Sequence, residues 1–258
     1  MSAKASPTLA SRLAAGEFIL SGWAQLSDPL SIEAIARAGF SAICMDCQHG
    51  YAGYEATKAN VLACAAGGAA PIVRMPHGDF AFAARALDLG AEAVIAPMIN
   101  SVADAKRFVE AVKYPPLGER SWGPARMMHV WGTDANTWVG QGNSTQLALA
   151  MCETREALEA ADDIVAIEGI DGLFIGPADM SMSMSAGSSM NPEDDSVLDA
   201  IKAVAKACKA HGKLATGYAQ TPKLADAYRE AGFALVCCGS DYGFIRAGAA
   251  GALKSFGG

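Results

Sequence analysis

The sequence predicts an α/β protein, a (β/α)₈ barrel that residues 1–258 form as a single domain. Eight short apolar runs of strand length alternate with segments of helical periodicity, and no change in composition marks a linker. The apolar runs are nearly continuous, as in strands that are buried on both faces. An open, doubly wound sheet is the alternative architecture, but no G-x-G-x-x-G sequence follows the first strand.

The first half of the chain contains four of these strand and helix units. A short leading helix is expected within residues 1–16, and the strand FILSGWAQ then ends near Trp23. Ser31 is expected to cap the next helix, which Gly39 closes. The remaining elements of this half are the strand FSAICMD, the helix Tyr54–Ala66, the strand PIVRMP, the helix Phe80–Leu89 with Gly90 as its stop, the strand AVIAPMI and a helix capped by Ser101.

The second half opens with Tyr114–Thr145, which is expected to be irregular because it contains Pro-Pro and Trp-Gly-Pro. Residues 180–190 are expected to be a loop or a short helix. The other expected elements are the strand QLALAMC, a helix from Arg155 to about Ile167, the strand DGLFIG, the helix Ser196–His211, the strand KLATGY, the helix Thr221–Ala231, the strand ALVCCGS and a last helix from Asp241.

Composition and charge argue against several classes of partner. Twenty basic and 27 acidic residues give a net charge of −7 without a basic block, which argues against nucleic acid and against an anionic membrane. No apolar stretch is long enough to span a bilayer, and Arg12 and Glu17 interrupt any signal-peptide region. Seven cysteines in a core-forming chain indicate free buried thiols and a cytoplasmic location. The Cys44-x-x-Cys47 pair has no second pair to complete a zinc set, so a structural role is favoured.

Two carboxylates follow neighbouring strands of the predicted sheet. Glu153 comes directly after one apolar run and Asp179 after the next, with a helical segment between them. Parallel strands in such a β-α-β unit end at the same edge, so both carboxylates should emerge together. Paired carboxylates suit a hard divalent cation. Taken singly, Glu153 could instead cap a helix and Asp179 a turn.

Polar residues recur at the same end of other predicted strands, where a (β/α)₈ barrel carries its functional groups. Arg74 ends an apolar run, where a charge without a function would be costly. His49 alone is more often a simple hydrogen-bonding residue, but it follows Asp46 closely. These strand-end positions are Trp23, Asp46 with His49, Arg74, Glu153, Gly176-Pro177-Ala178-Asp179 and Gly239-Ser240.

A set of motifs in chain order resembles the metal-dependent class II pyruvate aldolases of the HpcH/HpaI family. The motifs are DCQHG, IVR, LDLGAE, APMI, KYPPLGERS, CET and DGLFIGPADMS, and they cover nearly the whole chain. The resemblance implies a (β/α)₈ barrel whose last helix is exchanged between subunits of a homohexamer, a trimer of dimers. It also implies a divalent metal, Mg²⁺, Mn²⁺ or Co²⁺, and pyruvate and an aldehyde as the small-molecule substrates.

The resemblance also implies roles for individual residues. Glu153 and Asp179 correspond to the metal ligands, and Arg74 to the group that faces the pyruvate oxygens. His49 corresponds to the catalytic base, supported by Asp46.

A further group of residues corresponds to positions that orient the base or contact the substrate. Asp88 resembles a second carboxylate that orients the histidine from a neighbouring subunit. The substrate-contact positions are Trp23, Gly176, Pro177, Ala178 and Thr216. Met151 stands where many family members carry Gln. His129 and Trp131 lie in a loop that varies with the acceptor aldehyde.

The chemistry of these residue types fits an enolate mechanism. A metal chelated by a 2-oxo acid stabilises the enolate oxygen, a guanidinium adds positive charge, and an imidazole can move a proton at the aldehyde oxygen. No lysine ends a predicted strand, which disfavours a Schiff base. Two alternatives remain open: a lyase of citryl- or malyl-CoA thioesters on the same scaffold, and a barrel without catalytic activity.

Overall fold

Eight parallel strands close into a barrel in the computed structural model, which describes residues 7–257. Each strand pairs in parallel with its neighbours in chain order, and β8 pairs with β1. The strands are β1 Ile19–Ala24, β2 Ala42–Asp46, β3 Ala70–Arg74, β4 Ala93–Ala96, β5 Leu147–Cys152, β6 Gly172–Ile175, β7 Leu214–Ala219 and β8 Leu235–Cys238. The predicted (β/α)₈ fold is confirmed.

Helices follow the strands and form an outer layer. They are α1 Leu9–Ala14, α2 Pro29–Arg37, α3 Tyr54–Ala66, α4 Phe80–Leu89, α5 Val102–Val112, α6 Ala125–Val130, α7 Ala135–Thr145, α8 Arg155–Glu159, α9 Ala161–Val165, α10 Pro177–Met184, α11 Asp195–Ala210, α12 Pro222–Ala231 and α13 Asp241–Ser255. The bounds of α3 and α4 match the predicted helices, and Ser101 caps α5 as expected.

The barrel has two apolar layers because successive strand residues point to opposite faces. Outward-facing residues such as Ile43 and Val73 pack against the surrounding helices. Inward-facing residues such as Ile72 and Leu149 fill the interior together with Leu9 and Leu13 of α1. The N–H of Leu9 donates to Glu92 Oε2 at 2.5 Å. Since Glu92 precedes β4, α1 closes the end of the barrel at which the strands begin.

Several predicted element boundaries are wrong. The cap of α2 is Asp28, whose carboxylate accepts the N–H of Ser31 at 2.9 Å, so Ser31 lies inside the first turn. The stretch 114–145 is not irregular, because it contains α6 and α7. The helix expected from Arg155 is divided at Ala160 into α8 and α9. Thr154, and not Glu153, caps α8. The first six residues of the expected leading helix lie outside the described residues.

The last helix, α13, lies almost entirely on the surface. Of its residues only Asp241 is buried, while Tyr242, Ile245 and Leu253 expose apolar side chains. Exchange of α13 between subunits stays a prediction.

The state of the cysteines agrees with the expectation of free buried thiols. All seven cysteines are free, and six of them are buried. Within residues 7–257 no helix has both the length and the apolar character that crossing a membrane requires.

A buried lysine, Lys113, stabilises the end of the barrel at which the strands begin. Nζ of Lys113 donates to Asp171 Oδ2 at 2.6 Å and to the carbonyl oxygens of Asn143 and Gln146 at 2.6 and 2.8 Å. The same Asp171 oxygen accepts the N–H of Ala148 at 2.7 Å. Burial lowers the pKa of Lys113, and the three acceptors offset this loss of hydration. The lysine thus ties the chain after α5 to the starts of β5 and β6.

Replacing this lysine should destabilise the fold. We expect Lys113→Met to lower the free energy of unfolding by about 3 kcal/mol, since it leaves Asp171 and two carbonyl groups without their partner. Lys202→Met is the control, because the Lys202–Asp199 pair is exposed and should contribute less than about 1 kcal/mol. Urea denaturation measures both. Equal losses of unfolding free energy in the two variants would contradict a stabilising role for Lys113.

Candidate functional site

A cavity of about 210 Å³ opens at the carboxyl ends of the strands. Its lining residues come from the ends of β1, β3, β5, β6 and β7 and from the loops that follow them or β2. The lining residues are Trp23, Gln25, His49, Arg74, Met151, Glu153, Phe174, Gly176, Pro177, Ala178, Asp179, Tyr218 and Gln220. The structure therefore brings together eight strand-end positions that were selected from the sequence: Trp23, His49, Arg74, Glu153, Gly176, Pro177, Ala178 and Asp179.

Arg74 is held in the cavity wall by a bidentate ion pair. Its Nε and Nη2 donate to Asp46 Oδ1 and Oδ2 at 2.9 and 2.7 Å. The two residues are Cα partners in the register of β2 and β3, so the sheet itself places them side by side. The guanidinium also lies over the Trp23 ring, 4.8 Å from its centroid. These contacts fix the orientation of a buried cation.

Asp46 is an acceptor for four groups. Besides Arg74, it accepts the backbone N–H groups of Gln48 and His49 at 3.1 Å and the indole N–H of Trp23 at 3.3 Å. Burial alone would raise the pKa of Asp46, but the hydrogen bonds and charge of Arg74, together with the two amides, hold it below its ordinary value. Asp46 is therefore a carboxylate that pairs with arginine.

This arrangement corrects one part of the expected site. Asp46 was expected to support the imidazole of His49, but it contacts His49 only through the backbone N–H. The reason is geometric, because the carboxylate faces Arg74 across the β2–β3 pair. The His49 side chain is exposed and lines the cavity from the loop after β2.

Glu153 and Asp179 both line the same cavity. Glu153 is 1% exposed, and its Oε2 accepts the N–H of Met98 at 2.9 Å. The carboxyl group of Asp179 lies close enough for its charge to act on Glu153. Burial, and then the charge of Asp179, raise the pKa of Glu153 to about 7. The two acids therefore share one place, as their positions after β5 and β6 predicted.

The approach of Glu153 to α10 requires a glycine. A Cβ on Gly176 would lie 2.6 Å from Glu153 Oε1, so a larger residue would displace the carboxylate. Gly176 precedes Pro177 at the start of α10, and Asp179 lies in the first turn of this helix. First-turn N–H groups have no acceptor within the helix. Among the described residues no group of three or more His, Cys, Asp and Glu side chains meets, so the acidic site consists of this pair.

Thr216 does not reach the cavity, in contrast to what was expected, and Asp88 does not line it within one chain. A role of Asp88 toward a neighbouring subunit stays a prediction. Thr216 is fully buried one layer deeper in the barrel, where its hydroxyl donates to the carbonyl of Leu173 at 2.8 Å. The side chain two residues later on the same strand, Tyr218, lines the cavity instead. Within one chain Asp88 forms an ion pair with Arg120 at 2.5 Å, away from the cavity lining.

The apolar side of the cavity was predicted only in part from the sequence, since Phe174 and Tyr218 were not selected. The Trp23 ring contacts Tyr218 edge-on at 5.1 Å between centroids and Phe174 at 6.3 Å. Met151 belongs to the same wall. Met151 had been singled out in the sequence. Period-two alternation could have found Phe174, which lies two positions before Gly176. Gln25 and Gln220 lie in loops and carry no such signal.

The loop residues that were associated with the acceptor lie elsewhere in the fold. Trp131 follows α6 and contacts the buried Trp138 ring at 5.1 Å between centroids. Neither Trp131 nor His129 is among the described residues that line the cavity.

Comparison with known proteins identifies one family. The sequence model of the HpcH/HpaI aldolase/citrate lyase family matches residues 20–247. A hydroxypyruvate/pyruvate aldolase of Rhizorhabdus wittichii is 35% identical over 91% of this chain and 92% of that protein. A 5-keto-4-deoxy-D-glucarate aldolase of Escherichia coli is 30% identical over 91% of this chain and 90% of that protein.

Solved structures agree with the sequence relatives. A crystal structure of an HpcH/HpaI aldolase from Desulfitobacterium hafniense superposes with a TM-score of 0.88, at 25% identity and with 97% of each chain covered. The citrate lyase beta subunit of M. tuberculosis, solved with oxaloacetate and magnesium, has a TM-score of 0.59 at 19% identity over 90% of this chain and 95% of that chain, which is a likeness of fold alone.

The Arg74–Asp46 pair should make stability depend on pH. In the native chain the pKa of Asp46 is lowered, so its contribution to stability is present at neutral pH and is lost as the pH falls through the lowered pKa. In Arg74→Met the buried carboxylate loses its cation, its pKa rises, and its ionised form destabilises the fold at neutral pH. We expect this variant to be less stable by about 3 kcal/mol at pH 7, with a smaller deficit at pH 5.

Urea denaturation of both proteins at the two pH values measures this difference. The double variant Arg74→Met/Asp46→Asn is the control, because it has no buried unpaired charge and should regain stability at pH 7. A deficit that is the same at both pH values would contradict the assignment of Asp46 as the partner of Arg74.

Proposed function

Because this chain belongs to the HpcH/HpaI aldolase/citrate lyase family and is therefore a carbon–carbon lyase, we propose that it is a class II pyruvate aldolase. The reaction would make or cleave the bond between the enolate of pyruvate and an aldehyde, with 4-hydroxy-2-oxo acids as the joined compounds. The observation that carries this proposal is that the buried Glu153, its neighbour Asp179 and the fixed Arg74 line one cavity.

Glu153 and Asp179 are the proposed ligands of a divalent cation, Mg²⁺, Mn²⁺ or Co²⁺. Their chemistry fits such an ion, because carboxylate oxygens are hard ligands and two of them leave coordination positions for substrate and water. Their environment fits it as well, since burial of Glu153 and the charge of the neighbouring, exposed Asp179 raise the pKa of Glu153 to about 7, and a cation would relieve the repulsion between the two carboxylates. Bound there, the metal would supply a Lewis acid for the 2-oxo group.

Arg74 is the proposed partner of the substrate oxygens. Asp46 occupies Nε and Nη2, and in the described part of the chain Nη1 has no acceptor of its own. A guanidinium held in this way can donate to a pyruvate oxygen without reorienting, and it contributes charge without transferring a proton. The first-turn N–H groups at Ala178 and Asp179 offer further donors to a substrate carboxylate.

His49 is the proposed acid–base group at the aldehyde oxygen. Its side chain is exposed and stands at the cavity mouth, so it can meet an acceptor that enters after pyruvate. Since Asp46 is committed to Arg74, an orienting carboxylate for the imidazole must come from elsewhere. We propose Asp88 of a neighbouring subunit for this role.

The apolar wall of the cavity has a role in the proposed reaction. Trp23, Tyr218, Phe174 and Met151 would exclude water from the enolate and contact the carbon skeleton of the substrate.

We propose a cytoplasmic homohexamer, a trimer of dimers that exchange α13, with small-molecule substrates and with neither nucleic acid nor membrane as a partner. We also propose that residues 1–258 form one domain. Relatives at 30–35% identity are aldolases, which supports this activity over a CoA-thioester lyase.

Exchange of the pyruvate methyl protons in D₂O tests the enolate mechanism. We expect the metal-loaded protein to exchange these protons and EDTA to abolish the exchange. Arg74→Met should lower the rate by about 100-fold or more, because it removes charge stabilisation from the enolate. Glu55→Gln, which changes an exposed carboxylate on α3, is the control and should retain the native rate. Exchange that survives EDTA would rule out the proposed mechanism.

Metal affinity should depend on pH near neutrality. Since the pKa of Glu153 is raised to about 7, protons compete with the cation below that pH. We expect the affinity for Mn²⁺ to fall by up to about tenfold for each pH unit below 7 and to level off above it. Calorimetric titrations at pH 6, 7 and 8 measure this. Glu153→Gln should bind weakly at all three values, and native-like affinity in this variant would contradict the ligand assignment.

A further inference from the structure

Asp241, the first residue of α13, is a buried carboxylate with no part in the proposed chemistry. It is 1% exposed, whereas the other residues of α13 lie largely on the surface. Both of its oxygens accept the N–H of Gln25, at 2.9 and 3.0 Å, and Oδ2 also accepts the N–H of Leu26 at 2.8 Å. Oδ1 accepts the N–H of Tyr242 at 2.8 Å. The carboxylate thus binds the loop after β1 to the start of the last helix.

The loop after β1 in turn holds the loop after β2. The carbonyl of Gln25 accepts the N–H of Tyr51 at 2.8 Å. Gly50 fits so closely between the two loops that a Cβ on it would lie 3.0 Å from the same carbonyl oxygen. His49 directly precedes this contact, and both His49 and Gln25 line the cavity. A continuous set of backbone contacts therefore runs from Asp241 to the proposed acid–base residue.

The groups that would bind pyruvate and metal do not use these contacts. Arg74 is oriented by Asp46 across β2 and β3. Glu153 is held by the N–H of Met98 at the end of β4. Asp179 lies in the first turn of α10. The N–H of His49 is also held by Asp46 Oδ1, at 3.1 Å, so Asp241 acts on the far side of this loop, at residues 50 and 51. The cavity thus has a part fixed within the barrel and a mouth to which Asp241 contributes through the loop after β1.

We propose that Asp241 is a positioning residue for the aldehyde half of the reaction. By holding the backbone of Gln25 and Leu26, it keeps the loop that carries His49 at the cavity mouth. It acts only through these loops and touches neither substrate nor metal. The inference rests on the proposed function, since it divides that reaction into an enolisation step that is independent of Asp241 and a carbon–carbon bond step that requires it.

Asp241→Asn is the test variant. Because both native oxygens accept backbone N–H groups, either orientation of the amide places an NH₂ group against a donor. Ser240→Ala is the matched control, because Ser240, although selected from the sequence as a strand-end position, is not among the described residues that line the cavity. The Ser240 hydroxyl accepts the N–H of Gly243 at 3.1 Å and caps the same helix, but it is not part of the contacts with the loop after β1.

Two rates separate the steps: exchange of pyruvate protons in D₂O, and aldol addition of pyruvate to glyoxylate, both with Mn²⁺. We expect Asp241→Asn to retain the exchange rate within about twofold and to lower kcat for addition by about tenfold, a modest loss of positioned proton transfer. Asp241→Glu, which keeps both oxygens on a longer side chain, should give the same selective loss if Asp241→Asn does not fold. Ser240→Ala should leave both rates within about twofold.

Amide hydrogen exchange supplies a readout that does not depend on activity. Asp241→Asn should increase deuterium uptake in peptides that cover residues 25–26 and 49–51, and leave strand residues 147–152 unchanged. An equal loss of both rates, unchanged rates, or the same effects in Ser240→Ala would overturn the inference. Absence of metal-dependent exchange in the native protein would instead contradict the proposed function, and the deuterium uptake would still decide the role of Asp241.

Discussion

The balance of charge in one cavity is the constraint on which the rest of the site depends. Glu153 and Asp179 line a cavity whose lining includes one guanidinium, that of Arg74. Asp46 pairs with this guanidinium in bidentate geometry, so Glu153 and Asp179 lie near each other without a full counter-charge. Because uncompensated buried charge is costly, the pKa of Glu153 is raised to about 7. A divalent cation would balance the same two charges.

The closed sheet places the charged groups of the site mainly through strand register, with few special local features. The parallel register places Asp46 beside Arg74, and the crossover between β5 and β6 places Glu153 near Asp179. Two backbone features then bring groups to Glu153. Met98 adopts a left-handed conformation with φ of 56° after β4 and presents its N–H to the carboxylate, and Gly176 leaves the room that a Cβ would fill. The site therefore depends on backbone geometry at strand ends as much as on side chains.

Stability and chemistry occupy opposite ends of the barrel. At the end where the strands begin, α1 fills the interior and Lys113 joins the starts of β5 and β6 through Asp171. At the other end, the loops carry the cavity, and Asp241 joins the last helix to the loop after β1. This separation is typical of (β/α)₈ barrels, in which loop residues can serve chemistry while the packed core keeps the strand ends in place.

Much of this protein was determined by local patterns in its sequence. Apolar runs and helical periods identified the eight strands, and the acidic residues after two of them indicated a shared site, because parallel crossovers place such residues at one edge. Helix ends were less accurate, since Asp28 and Ser31 are both good caps and only the folded backbone selects one. The segment 114–145 was misread because its two helices are short and are stabilised by burial of side chains such as Trp138.

The tertiary structure alone decided which polar groups meet. Sequence proximity suggested that Asp46 serves His49, but the lateral register of the sheet turns it toward Arg74. Thr216 and Tyr218 share one face of β7, and only the depth of each layer in the closed barrel determines that the tyrosine reaches the cavity. Asp241 contacts residues more than 200 positions earlier because β8 closes against β1. Short-range periodicity encodes which face a residue occupies, whereas its partners across the barrel depend on closure and register, which are properties of the whole fold.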